Sequence, residues 1–341
     1  MTDRDPMDPV LLRKFLIDSG VEVAGDLDVS LISGGRSNLT YAVSDGTHRW
    51  VARRPPTGGL TPSAHDMKRE WTVTTALQGT DVPVAGTVAA DLDGDVLGAP
   101  FTVVEFIDGA VVRNTTELSA WSDEQVDANA TALVEGMAQL HAVDYAAVGL
   151  GSFGRPLGYV ERQVALWARQ WDIVQTRELP DVAKLHAALA DSIPENSANT
   201  IVHGDYRVDN TILAADDPGT VLAVVDWELS ALGDPLADVS LMCAYRQPMF
   251  NVVLGAEAAW TSDRYPSADE LAERYAKASG NQLAHWNFYM ALANFKIGVI
   301  GEGITHRARS GADSGAPNAA DAAEVTGEFI AAGLRAIAQA N

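Results

Sequence analysis

The stretch from Ile201 to Glu228 constrains this chain more than any other. It reads Ile201-Val202-His203-Gly204-Asp205-Tyr206-Arg207-Val208-Asp209-Asn210 and, after a turn, Val221-Leu222-Ala223-Val224-Val225-Asp226-Trp227-Glu228. The pattern is His-x-Asp-x-x-x-x-Asn, followed by an apolar strand that ends in Asp. Moving a phosphoryl group calls for a carboxylate to orient the accepting hydroxyl. It also calls for an Asn and a second Asp to hold magnesium on the nucleotide phosphates. Asp205, Asn210 and Asp226 stand in that order and at that spacing. A polar turn would account for Asp205 and Asn210, but not for Asp226 behind a second apolar strand.

Composition narrows the alternatives. The 341 residues are 47% hydrophobic and 21% charged, enough for one large domain or two modest lobes with full cores. A net charge of −22 argues against nucleic-acid or anionic-membrane partners, which need basic patches. The single cysteine, Cys243, excludes an intrachain disulfide and a cysteine-rich zinc site. It sits in an apolar stretch and is expected to be a buried, inert thiol. The polar, acidic N-terminus has no apolar core for a signal peptide, and no run of 18 apolar residues exists. The expectation is a cytoplasmic protein without a membrane span; a homodimer is left open.

Residues 8–19 have a helical pattern. Strands are expected at 29–32, 40–43, 49–53, 84–90 and 100–107, with a helix over 63–77 capped by Ser63. Beyond Asp108-Gly109 helical periodicity dominates: 123–142, 157–176, 181–193, 236–248, 268–279, 282–308 and 320–339. Short strands at 201–203, 211–214 and 221–225 interrupt it. Strands early and helices late predict an α+β, bilobal architecture. It has a small five-stranded antiparallel N-lobe with one helix over 1–108, and a larger, mainly helical C-lobe over 109–341. The junction near 106–110 reads as a hinge, and ligands often sit between lobes.

HGDYRVDN, followed by VVDWELSALGDPLAD, resembles the aminoglycoside phosphotransferase and choline kinase-like enzymes, which share the protein kinase fold. It looks most like the branch also found fused to some acyl-CoA dehydrogenases. The resemblance runs from about residue 28 to about 310. It implies ATP as phosphoryl donor, with GTP left open, Mg²⁺, and a hydroxylated small molecule as acceptor. Asp205 would orient or accept the hydroxyl proton, and Asn210 and Asp226 would hold the metal. His203 would pack to hold the loop, and Asp234 and Asp238 would brace it. Arg207 would either neutralise the transferring phosphate or pair with an acidic neighbour.

In the first lobe, Gly34, Gly35, Arg36, Ser37 and Asn38 lie between two strands, where backbone amides can cradle phosphate. Gly-Gly also makes plain hairpins. A kinase-like lobe presents a Lys on its third strand, paired with a Glu on the next helix. Here Arg53 takes that place and Glu70 fits the partner. Arg can grip phosphate bidentately but does not replace Lys neutrally. Glu105, Phe106 and Ile107 resemble the segment that receives the nucleobase through backbone groups.

The expected function is ATP-dependent phosphorylation of a small-molecule alcohol. A nucleotide-binding regulator with little catalysis is the alternative, supported only by the missing Lys. A metal-dependent hydrolase built on His141, His203, Asp205 and Asp226 is a third. The acceptor pocket is not legible: Trp167, Trp171, Trp286, Tyr289, Lys296, Glu302, His306 and Arg307 carry no assignment beyond pocket lining, and aromatics at helical spacing are more often core.

Overall fold

A computed structural model of the chain describes residues 6–33, 38–56, 66–195, 198–311 and 319–339. Helix α1 (Pro9–Asp18) opens on Asp8, whose carboxylate accepts from the Val10 and Leu11 amides at 2.9 and 3.2 Å. Strands β1 (Asp28–Ser33), β2 (Leu39–Ser44) and β3 (Arg49–Arg54) follow. Next come α2 (Met67–Leu77), β4 (Thr87–Asp91) and β5 (Phe101–Glu105). The five strands form one antiparallel sheet in the order β1-β2-β3-β5-β4.

Alternation along β3 sorts its side chains between two faces. Trp50 and Ala52 bury against Leu12 and Leu16 of α1 and Phe101 and Val103 of β5. Arg54 shares their face and bonds the Pro6 carbonyl. Arg53 therefore emerges on the opposite face. Helix α2 starts at Met67 with Asp66 as its cap, accepting from Arg69 N–H at 2.9 Å; the cap expected at Ser63 lies outside the described residues. The apolar side of α2 belongs to the other core: Val73 and Leu77 are part of the same buried cluster as Leu133, Met137 and Phe295. Glu70, on the same helix, is thereby placed between the sheet and the helical part.

That helical part begins with α3 (Thr115–Leu118), α4 (Asp123–Ala142), α5 (Tyr159–Val174) and α6 (Pro180–Asp191). Strands β6 (Thr200–Val202), β7 (Thr211–Leu213), β8 (Val221–Val224) and β9 (Ala231–Gly233) come next, then α7 (Pro235–Ala244), α8 (Phe250–Leu254), α9 (Ala268–Ser279), α10 (Trp286–Arg309) and α11 (Thr326–Ala338). Capping boxes, Ser122 with Gln125 and Ser267 with Glu270, set the starts of α4 and α9 where periodicity puts them. Helix α10 is buried along most of its length and packs on α5, α7 and α11.

Some elements depart from expectation. Helix α10 starts at Trp286 rather than 282, because His285 takes a left-handed backbone, φ 55°, that α-helix cannot continue through. Residues 319–325 are 3₁₀ rather than α. Strand β9 was not expected; it pairs antiparallel with β6. Among the described residues no helix is long and apolar enough to cross a membrane.

Candidate active site

Between β6 and β7 the chain turns through His203–Asn210. Gly204 sits at φ 83°, and a Cβ there would fall 2.7 Å from the Leu229 carbonyl oxygen, so only glycine fits. His203 is fully buried. Its Nδ1 accepts from the Asp205 amide at 3.2 Å, so Nε2 carries the proton that reaches the Val225 carbonyl at 3.0 Å. The imidazole thus ties the start of the loop to the strand that delivers Asp226. Asp238, on α7, accepts from the amides of His203 (2.6 Å) and Gly204 (2.8 Å), and His141 Nε2 lies 3.4 Å away. Burial would raise this carboxyl, but the hydrogen bond and charge of His141, with His203, hold it below the usual carboxylate range.

Asn210 and Asp205 form one unit. Asn210 Nδ2 donates to the Asp205 carbonyl at 2.8 Å and to its carboxylate at 3.1 Å. The amide nitrogen is spent on Asp205, leaving the side-chain oxygen as the atom for a cation. Arg207 pairs with acidic neighbours on both sides, Asp205 and Asp209, each at 3.2 Å. Tyr245 and Phe250 carry its guanidinium over their rings at 5.3 and 5.5 Å. Burial opposes the charge of Arg207, but the two carboxylates outweigh it and raise its pKa.

Asp226 stands at the end of β8 with φ 68°, a left-handed conformation for a non-glycine residue. Its carboxylate meets Arg53 Nη2 at 3.0 Å, and the other amino group of Arg53 bonds Glu70. Arg53 thus joins the sheet, α2 and the Asp226 turn. Glu228 faces the same site: burial, then the charge of Asp226, push its carboxyl up to about 7. Asn38 Nδ2 donates to it at 3.3 Å. Sequence reasoning assigned Glu228 no role, although its place two residues after Asp226, in Asp-Trp-Glu, was a signal available to it.

Gly34, Gly35, Arg36 and Ser37 lie outside the described residues; Asn38 follows them and is buried. At the end of β5 the Glu105 amide donates to Gly86 O at 2.8 Å and the Phe106 amide to Arg49 O at 3.3 Å. The Arg49 guanidinium lies 3.6 Å over the Phe106 ring. Glu105 and Phe106 have therefore committed their amides within the sheet edge, and Ile107 follows them.

On the far side, Trp171 is core and the Tyr289 hydroxyl donates to Asp234 at 2.9 Å. Glu302 is buried beneath Thr176, accepting from its amide at 2.9 Å and its hydroxyl at 2.6 Å. Trp167 and Lys296 line a small cleft beside Gly204. Among the described residues no three His, Cys, Asp or Glu side chains are grouped to hold a metal by themselves. His141 and His203 spend their nitrogens on Tyr275, Asp238, Val225 and the Asp205 amide, so the hydrolase arrangement does not assemble.

A five-stranded antiparallel sheet followed by a mainly helical part defines a protein kinase-like phosphotransferase fold. The chain belongs to the phosphotransferase enzyme family, whose model matches residues 28–286. It is 34% identical over 301 residues to acyl-CoA dehydrogenase family member 10 of Mus musculus, covering 87% of this chain but 28% of that relative. A crystal structure from Ralstonia eutropha, provisionally named an aminoglycoside phosphotransferase, superposes with a TM-score of 0.84 at 32% identity, over 98% of this chain and 99% of the other. A thermostable mutant of aminoglycoside phosphotransferase APH(4)-Ia, in ternary complex with AMP-PNP and hygromycin B, shares the fold at a TM-score of 0.62 and 16% identity, over 96% of this chain and 99% of that one.

Proposed function

We propose that the chain transfers the γ-phosphoryl group of ATP to a hydroxyl of a small molecule. The observation that supports this reading is the Arg53 guanidinium bridging Glu70 and Asp226: a cation that would bind phosphate lies beside a carboxylate that would hold the metal. In it, residues 1–108 bind nucleotide and 109–341 supply the catalytic loop and acceptor site. Arg53 holds the donor phosphates, fixed in direction by Glu70. Gly34, Gly35, Arg36 and Ser37 would offer backbone amides to them. The Ile107 backbone meets the base. Asp205 orients the acceptor hydroxyl and takes its proton, and Arg207 balances the charge of that carboxylate.

The donor set suits Mg²⁺. The ion prefers oxygen and takes one or two protein carboxylates, with phosphates and water filling the rest, so no preformed cage is needed. Asn210 Oδ1 and Asp226 would hold it, with Glu228 as a further carboxyl facing the same site. Held by these residues, Mg²⁺ would supply charge neutralisation on the transferring phosphates.

The acceptor class follows the names of the relatives. Their association with acyl-CoA dehydrogenases favours a hydroxyl carried on an acyl thioester, alongside aminoglycosides. The test is MgATP consumption with hydroxyacyl-CoA thioesters, aminoglycosides and choline, with the phosphorylated product identified by mass. Nucleotide binding without product from any acceptor would replace this reading with the regulator; no nucleotide binding at all would end both.

A further inference from the structure

Gly204 is the residue before the proposed base, and glycine has the widest backbone freedom of any residue. Its smallness is forced by the Leu229 carbonyl. Left alone it would let Asp205 swing. The structure removes that freedom from both sides. The Gly204 amide donates to Asp238 Oδ1 at 2.8 Å. The Gly204 carbonyl accepts from Lys296 Nζ at 3.0 Å, from a helix 92 residues further along. An acid on α7 and an amine on α10 thus grip two successive peptide groups, fixing φ and ψ of the glycine between them.

Lys296 is an expensive way to make one hydrogen bond. Burial depresses its pKa, while Asp205 and Asp238 act to keep it charged. Among the described residues it forms no salt bridge; its other contact is the Trp167 ring of α5, 5.6 Å from Nζ. Desolvating an ammonium without a close carboxylate is costly. A neutral donor would satisfy a carbonyl at less cost. The charge does more: it strengthens the bond to Gly204 O and lies within electrostatic reach of Asp205.

We infer that Lys296 is a positioning residue for phosphoryl transfer, holding Asp205 in its productive place through the Gly204 carbonyl. The inference rests on the reading of Asp205 as base. It makes the acceptor side of the protein part of the catalytic geometry, because Lys296 stands where α5, α10 and the loop meet.

The experiment compares Lys296→Met, Lys296→Arg and Lys296→Cys with the wild-type chain. Turnover is read with MgATP and water as the acceptor, and with any acceptor found by the panel above. Lys296→Met is expected to lose about 100-fold in kcat, the scale of a misplaced catalytic group, with KM for MgATP changed by less than about twofold. Lys296→Arg retains the charge and most of the fold's stability, and should fall between. Lys296→Cys should be as poor as Met and recover on alkylation with 2-bromoethylamine, which rebuilds a lysine-like amine. Cys243 is buried and its thiol is pushed up, so it is spared. Unchanged kcat in Lys296→Met, a defect confined to KM, or no recovery on alkylation overturns the inference while leaving the phosphotransferase reading intact. A wild-type chain that turns over neither water nor any acceptor removes both.

Discussion

Arg53 Nη2 lies 3.0 Å from Asp226 Oδ1, a contact between residues 173 apart in sequence, and the same guanidinium holds Glu70. One side chain therefore fixes three elements relative to each other. Arg54, next along β3, bonds the Pro6 carbonyl beneath α1 instead. Arg53→Ala should raise the KM for MgATP and lower kcat, since a positioned cation there would act in ground and transition states alike. Arg53→Lys should recover part, because a point charge cannot span two carboxylates, and Glu70→Gln should be milder. Arg54→Ala should change thermal stability and leave kinetics alone. Steady-state kinetics of the pair decide it: a kinetic defect in Arg54→Ala alone would exchange their roles.

Asp205→Asn should cost roughly 10²- to 10⁴-fold in turnover, the usual worth of a positioned base, with MgATP binding retained. Calorimetric titration with MgATP, beside turnover, checks both halves. Turnover within about tenfold of wild type would remove Asp205 as base.

Glu228 makes the nucleotide-free protein sensitive to pH. Its folded pKa, about 7, is above the ordinary 4.5. The neutral form is therefore favoured by folding. That contribution is fully present below about pH 4.5 and is lost as pH rises through 7. Melting temperature across this window should fall more steeply in wild type than in Glu228→Gln. Adding MgATP should flatten the wild-type slope, if a cation takes up the charge. Parallel slopes without ligand would show that Glu228 ionises normally.

Asp238 carries the opposite sign. Its carboxyl is held below the usual range despite burial. Its contribution is present above the unfolded pKa and disappears as pH falls through the folded one. Asp238→Ala should cost about 3–5 kcal/mol, because it strips a partner from buried His141 and orphans two amides. Chemical denaturation at neutral pH measures it; a loss below about 1 kcal/mol would show that the loop is held elsewhere.

Cys243 should be silent to maleimide and iodoacetamide in the folded chain at pH 8 and react stoichiometrically in denaturant. Burial, helped by the charge of Asp269, pushes the thiol upward, and burial closes access. Labelling of the native protein at the rate of free cysteine would contradict the packing around α7.

Much of the architecture was legible because its signals are local. Helical periodicity over 123–142 and 268–279 marks α4 and α9, and the capping boxes at Ser122 and Ser267, local signals the sequence reading did not use, fix their starts. Asp205, Asn210 and Asp226 fall on one short stretch whose spacing is itself the signal. Strand β9 escaped notice because Ala231-Leu232-Gly233 has no strand-like pattern; it is a strand only through pairing with β6. The start of α10 was misplaced because nothing in the local sequence reveals that His285 is left-handed.

By itself the sequence determined most of the order of elements, short α3, α8 and β9 excepted, and the identity of the residues that can carry the chemistry, since periodicity and motif spacing act between near neighbours. It pointed to Arg53, and strand alternation allows only one of Arg53 and Arg54 to face the cleft. The loyalty of α2 to the helical core, the approach of Glu228 to Asp226 and the grip of Lys296 on Gly204 were decided by tertiary structure. Each depends on burial and charge contributed by residues distant along the chain, and such contacts leave no period in the sequence to read.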